Sequence, residues 1–363
     1  MSSLVSWYRE HGRDLPWRHN PTPYQVWVSE LMLQQTQVVT VKSYYARWMD
    51  RFPTVETLAA ASLEDVLSIW AGLGYYRRAR YLYEGAKYVV ERLNGHFPES
   101  VAELKKLPGI GDYTAGAIAS FAFGQDVPAV DGNASRVLAR YFGITGDLQH
   151  GESRRQLESR AIAVSKLGQS AIVNQAIMDL GSGICGRLPQ CETCPLGERC
   201  VAAKQGLTEA IPQKKIQVEK STEYRAALCI TDSLGRQLLV KRSPDILLGG
   251  LWEYPMIQVY KSKGKNAQHE GADRNRLPRR RLWQTWLSEH GMTIKNVPIR
   301  STGREVTHIF THIRMHIVLD AASCDPLDAF GFIADSVYTQ GVWVTPDQFD
   351  RYPMSTMMKK VAS

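Results

Sequence analysis

Two carboxyl groups and four thiols are the residues of this chain whose types and spacing suit chemistry. Glu30 lies in VWVSELMLQQTQV, residues 26–38, with Val26, Trp27, Leu33 and Gln34 three or four positions away, the helical neighbours of one face. An exposed helical glutamate would need no such company. A carboxyl group among apolar side chains is desolvated, its pKa rises, and it becomes a general acid able to work near neutral pH. Asp131 follows Pro128 and precedes Gly132-Asn133, a setting that by itself reads as a turn or helix cap. Taken together, the two carboxyl groups match what glycosidic cleavage needs. One acid protonates the leaving group and one carboxylate faces the positive charge of an oxocarbenium-like state. Four cysteines, Cys185, Cys191, Cys194 and Cys200, crowd into ICGRLPQCETCPLGERC. In a reducing compartment such crowding points to a metal rather than to disulfides. Zinc and a [4Fe–4S] cluster are both compatible with four sulfurs. Cys229 and Cys324 stand apart and read as small apolar residues.

The stretch LPGIGDYTAGAIASFAFGQDVPAVD, residues 107–131, must position much of this. Pro108, Gly109 and Gly111 stop one helix and expose the backbone N–H groups that begin the next, at the positive end of its dipole. Such a place holds a phosphate. Thr114-Ala115-Gly116-Ala117 keeps the second helix small-sided, so that something can approach it closely. From Ser3 to about Lys204 the pattern is helical, broken at Pro53, Gly72-Leu73-Gly74, Phe97-Pro98 and Leu107-Pro108-Gly109. The reading is an all-α domain over residues 1–204, an exposed connector over 205–222, and an α+β domain over 223–363. In the last, RAALCITDSLGRQLLVKRS reads as strand, turn, strand; a helix is expected near Arg279 to His290; and REVTHIFTHIRMHIVLD alternates at period two.

At 363 residues the chain is long enough for two or three cores. Its net charge of +8 suggests an anionic partner. The charge is uneven, however: residues 1–204 carry 22 Lys/Arg against 20 Asp/Glu, and residues 205–363 carry 22 against 16. Local placement, not net charge, must therefore decide on nucleic acid. No apolar run has the length of a signal peptide or a membrane span. A cytoplasmic protein with no membrane partner is expected.

The hairpin and the aspartate after it resemble the helix-hairpin-helix DNA glycosylase superfamily that includes endonuclease III. The wording of the helices is similar to one branch, the MutY-type adenine DNA glycosylases. The resemblance runs through LPWR (Leu15 to Arg18), SELMLQQTQV, GLGYYRRAR (Gly72 to Arg80), LPGIGDYTAGAI, DGN (Asp131 to Asn133) and NQAIMDLG (Asn174 to Gly181). It implies that Glu30 protonates adenine, Asp131 stabilises the sugar cation, and Tyr113 and Asn133 assist. It also implies that Arg18, Leu33 and Asp179 line the base pocket. A flipped base leaves a hole to be filled, and the resemblance gives that task to Gln35, Thr36, Leu73 and Tyr75. Arg77, Arg78 and Arg80 beside them read as a solvated basic face or as phosphate contacts. Lyase-competent relatives carry a lysine where this chain has Tyr113, so the resemblance implies hydrolysis without strand cleavage. It selects a [4Fe–4S] cluster over zinc, although the gap between Cys185 and Cys191 holds five residues where the family usually has six.

In the second domain LLGGLWEYP, Leu247 to Pro255, resembles the segment before the catalytic box of Nudix hydrolases. The clustered glutamates that would hold Mg²⁺ do not follow, which argues against pyrophosphate hydrolysis. What remains resembles the MutT-like recognition domain of MutY-type enzymes, with Phe310-Thr311-His312 where the family carries Phe-Ser-His. The expectation is a monomeric bacterial enzyme that removes adenine opposite 8-oxoguanine or guanine in duplex DNA, with Gly109 and Gly111 at a phosphate. Its rivals are an endonuclease III-type glycosylase/lyase and a non-catalytic helix-hairpin-helix DNA-binding module.

Overall fold

The computed structural model describes residues 1–213, 220–262, 279–292, 298–325 and 332–363. Two compact units emerge, one from residues 1–61 with 81–216 and one from residues 62–80 with 217–363.

The first unit is helical throughout its described residues. Its helices are α1 (Ser2–His11), α2 (Pro23–Leu33), α3 (Val38–Arg51), α4 (Val55–Ala59), most of α6 (Arg77–Leu93), α7 (Val101–Leu104), α8 (Asp112–Phe121), α9 (Gly132–Phe142), α10 (Gly151–Ser165), α11 (Ser170–Ser182) and α12 (Val201–Lys204). The start of α2 is set by a capping box, in which Thr22 accepts from the Gln25 backbone and Gln25 reaches back, with Pro23 in the first turn. Tyr24 and then Val26 through Met32 are all buried, so α2 runs through the core with its polar members Ser29 and Glu30 enclosed. It packs on α8. The small face of α8 is needed by the chain itself: a Cβ on Gly116 would sit 2.2 Å from the Pro128 carbonyl oxygen. The segment leading to Asp131 is thus laid directly against α8. A second core joins α1, α9, α10 and α11 through Leu4, Val137, Leu138, Leu157 and Ile177, and it includes Ile211. Ile211 corrects the expectation of an exposed connector over 205–222, because its side chain is buried and its carbonyl accepts from Arg140 Nε at 2.8 Å. Residues 214–219 of that stretch lie outside the described residues.

The second unit holds α5 (Leu63–Trp70) and a seven-stranded mixed sheet: β1 (Ser221–Asp232), β2 (Gln237–Arg242), β3 (Trp252–Glu253), β4 (Met256–Ser262), β5 (Arg300–Ile309), β6 (Ile313–Cys324) and β7 (Tyr338–Val344). The order β3-β2-β1-β6-β5 carries β4 on β1 and β7 on β2. Among the described strand pairs, β1 and β6 run in parallel, from Ser221 opposite Ile313 to Asp232 opposite Cys324. Both faces are covered. Helix α13 (Arg279–Glu289) lays Trp283, Trp286 and Leu287 on Ala226, Leu228 and Ile230. On the other face α14 (Thr356–Ala362) lays Met357, Met358 and Val361 beside Ala227, Leu239 and Ile317. The alternating run 304–320 is not one strand: Phe310 N donates to Ile313 O at 2.8 Å, which turns β5 into antiparallel β6. Phe310, Thr311 and His312 are therefore the tip of a hairpin rather than strand positions.

Candidate active site

Glu30, on the last turns of α2, is 5% exposed and accepts a short hydrogen bond from the Tyr113 hydroxyl on α8. Burial pushes its carboxyl up to about 7; the Tyr113 bond pulls the other way, and the charge of Asp131 adds to the rise. Tyr113 itself is held well above its usual range by burial and by the two neighbouring carboxylates. It stays a donor.

Asp131 is the N-cap of α9, accepting from Ala134 N at 2.7 Å, while Asn133 Nδ2 donates to its other oxygen at 3.2 Å. Burial raises its pKa and the backbone N–H groups of Ala134 and Asn133 oppose the rise. The helix-cap reading of Asp131 holds, and its carboxylate lies at the positive end of a helix. Arg136 extends the chain of contacts. It donates to Asn133 Oδ1 at 2.9 Å, to Gly181 O at 2.6 Å and to Cys185 O at 3.0 Å.

Arg18 and Asp179 are brought together as a bidentate pair, with both guanidinium nitrogens 2.8 Å from the carboxylate oxygens. Arg13, which sequence reasoning missed, completes the set by donating its backbone N–H at 2.9 Å and its Nε at 2.7 Å to Asp179. Burial works against the Asp179 charge, but the hydrogen bonds from Arg18 and Arg13 outweigh it and hold its pKa low. Tyr8, also missed, lies under the Arg18 guanidinium and donates to Gln175 Oε1 at 2.6 Å. Its position on α1 gave no local signal. Arg13 had one, as the second basic residue beside Leu15-Pro16-Trp17-Arg18.

Leu33 closes α2 half-buried, and Gln35 follows exposed, in a left-handed turn at φ 57°. Thr36 N donates to Leu33 O at 3.3 Å. Gly109 has φ 74°, and a Cβ there would meet the Tyr81 ring at 2.5 Å; Gly111 is the N-cap of α8 with open space where a Cβ would be. In the second unit, Leu73 is buried and Tyr75 is 46% exposed. The Tyr75 hydroxyl lies 2.7 Å from Thr311 Oγ1, which joins two segments that the sequence separates by 236 residues.

The four cysteines line one cavity with Arg140, Ile184 and Gln190. Arg140 Nη1 donates to Cys185 Sγ at 3.4 Å and to Gly186 O at 2.7 Å, so a cation faces the thiols. Gly197 is needed in the wall, because a Cβ would come within 2.7 Å of Cys191 O. Among the described residues no group of three or more His, Cys, Asp or Glu side chains is gathered as tightly as one ion requires. The four thiols line a shared space and make an all-sulfur donor set there.

Residues 28–161 match the HhH-GPD superfamily of base excision DNA repair proteins, and residues 226–363 match the NUDIX domain. The adenine DNA glycosylase of Homo sapiens is 35% identical over 414 residues, an alignment that takes in 99% of this chain and 72% of the human one. This chain belongs to the adenine DNA glycosylase family. It is a DNA glycosylase. The adenine DNA glycosylase of Rattus norvegicus is likewise 35% identical, over 99% of this chain and 76% of its own length. Among solved structures, a thermostable thymine-DNA glycosylase superposes with a TM-score of 0.52 at 28% identity, covering 56% of this chain and 94% of its own. No helix among the described residues is long and apolar enough to cross a membrane.

Proposed function

We propose that the protein is a monofunctional adenine DNA glycosylase that excises adenine opposite 8-oxoguanine, or guanine, in duplex DNA. The observation that carries this reading is Glu30, buried, raised to about 7, bonded to Tyr113 and sensing Asp131. At neutral pH a large share of such a carboxyl is protonated. It can deliver that proton to a ring nitrogen of adenine, the base departs, and Asp131, held beside Asn133, faces the cation left on the sugar. Tyr113 donates to Glu30 and so orients it. With Tyr113 after the hairpin in place of a lysine, that position offers no amine to attack the sugar, and water is the final acceptor.

Arg18 and Asp179 give the base pocket one donor fork and one acceptor. Gly109 and Gly111 at the start of α8 receive a DNA phosphate. Gln35, Thr36, Leu73 and Tyr75 are each assigned, on the family resemblance, to filling the place of the flipped base or holding its partner. Thr311 and His312 at the hairpin tip read the oxidised guanine. Cys185, Cys191, Cys194 and Cys200 are assigned to a [4Fe–4S] cluster, whose bound form supplies a rigid cross-link rather than chemistry, because glycosidic hydrolysis transfers no net electrons. A protein acting as a monomer on bacterial DNA in the cytoplasm fits this reading.

The test is incubation with a labelled duplex carrying adenine opposite 8-oxoguanine. Release of adenine with a break only after alkali is expected. A break without alkali, or efficient borohydride trapping of enzyme on DNA, would establish the glycosylase/lyase instead. Tight duplex binding without base release would establish a binding module.

A further inference from the structure

The basic run Arg77-Arg78-Arg80 was expected to face solvent or phosphate, yet Arg78 is only 4% exposed. Its Nη2 donates to the Leu73 carbonyl at 3.3 Å and to the Gly74 carbonyl at 3.0 Å. Trp70 Nε1 donates to the same Gly74 oxygen at 3.0 Å. The guanidinium carbon lies 5.2 Å from the Trp70 ring centroid and 5.4 Å from that of Tyr75, a cation held against two aromatic rings. Burial lowers its pKa only to about 10, so the group is charged at neutral pH.

The backbone held in this way is an unfavourable one. Gly72, Gly74 and Tyr75 have φ of 99°, 75° and 48°. For tyrosine the left-handed region costs about 1–2 kcal/mol, and such a residue persists where its surroundings over-determine it. Those surroundings are Arg78 and Trp70 on the carbonyls, together with Arg78 N donating to Tyr75 O at 2.9 Å. The result is a tyrosine ring 46% exposed at the tip of the turn, with its hydroxyl on Thr311.

We propose that Arg78 is a positioning residue for base extrusion, its buried guanidinium fixing the turn 72–75 so that the Tyr75 ring is already presented to the base stack before DNA binds. The inference rests on the reading that Leu73 and Tyr75 occupy the space of the flipped base. Preorganisation of this kind removes an ordering cost from binding, and it matters most where unstacking the adenine is most costly. Lysine cannot replace the guanidinium, because an ammonium is a compact point charge without the planar face that lies over the Trp70 and Tyr75 rings.

The experiment compares wild type, Arg78→Lys, Arg78→Met, Tyr75→Ala and the Tyr75→Ala/Arg78→Met double variant in single-turnover adenine excision. One duplex is fully stacked, and a second carries an abasic site opposite the adenine, so that extrusion is already easy. Hydrogen exchange of peptides covering residues 71–78 is read alongside. Losing charge-assisted hydrogen bonds is worth roughly tenfold to a hundredfold. Excision from the stacked duplex should fall by that factor in both Arg78 variants, the defect should shrink to within a few-fold on the abasic-opposed duplex, and the double variant should be no slower than Tyr75→Ala. Exchange should accelerate within 71–78 and remain unchanged in α8 and α9. Equal losses on both duplexes, additivity in the double variant or exchange raised throughout would overturn the inference and leave Arg78 a support of the fold. A wild-type protein that releases no adenine from either duplex would defeat the functional reading, and the inference with it.

Discussion

At the scale of single residues the decisive fact is that Glu30 is a buried carboxyl. With its folded pKa raised to about 7 from the ordinary 4.5, the folded state binds this proton more tightly than the unfolded chain does. Stability from this group is therefore fully present below about pH 4.5 and is lost as pH rises through about 7. The same titration removes the general acid, so excision should decline above pH 7 while duplex binding persists. Glu30→Gln keeps the shape and cannot deliver a proton. Excision should drop by about 10²–10⁴-fold, and the variant should gain in melting temperature relative to wild type as pH rises from 5 to 8. A variant within a few-fold of wild type, or a stability difference independent of pH, would remove Glu30 from the role. Much of this residue was legible beforehand, because its apolar neighbours lie three and four positions away in the sequence. The Arg13–Asp179 pairing was not, since the two residues lie 166 positions apart and sequence periodicity reports only neighbours within one helix.

At the scale of elements, glycines decide how closely the parts carrying these residues can approach. Gly116 brings α8 onto the Pro128 carbonyl, and Asp131 follows three residues later. A methyl group at 2.2 Å from a backbone oxygen must displace one of the two segments. Gly116→Ala should therefore destabilise by about 1–3 kcal/mol, the usual cost of overpacking, and should slow excision beyond what lost folding explains. Gly111→Ala, with nothing within 4 Å of the new atom, should leave the melting temperature within a degree or two and weaken duplex binding if the α8 N-terminus meets a phosphate. Equal melting temperatures for the two variants would contradict the packing argument. The small-sided helix was legible as a place of close approach, but not what approaches it, because the partner is a backbone carbonyl that no residue type advertises. The cysteine loop poses the same kind of question. Anaerobically purified protein should contain about four irons and matching sulfide per chain, and one zinc without sulfide would refute the cluster.

At the scale of the whole molecule the proposed work is divided, with Glu30 and Asp131 in the helical unit and the hairpin tip Phe310–His312 in the sheet unit. The sequence showed the alternation that builds β5 and β6, yet the same alternation concealed the turn between them, because period two continues across Phe310-Thr311-His312 without a glycine or proline to mark the break. Placing these residues at a tip changes what they can do. Thr311 and His312 are exposed, and they offer a hydroxyl and an imidazole. Guanine and 8-oxoguanine differ at N7 and C8, where an acceptor becomes an N–H donor and a carbonyl is added. A matched partner lost at such an edge costs about 1–3 kcal/mol, or roughly fivefold to a hundredfold in rate. Thr311→Val combined with His312→Ala should then slow excision opposite 8-oxoguanine by that factor and excision opposite guanine much less, in single-turnover measurements on otherwise identical duplexes. Equal losses on both would mean that the tip supports general affinity. Because Thr311 Oγ1 also lies 2.7 Å from the Tyr75 hydroxyl, Tyr75→Phe serves as the companion measurement: it removes the same hydrogen bond and leaves both hairpin side chains intact. If Tyr75→Phe reproduces the lesion-specific loss, the hydroxyl of Thr311 acts by holding Tyr75; if it does not, Thr311 and His312 meet the lesion themselves.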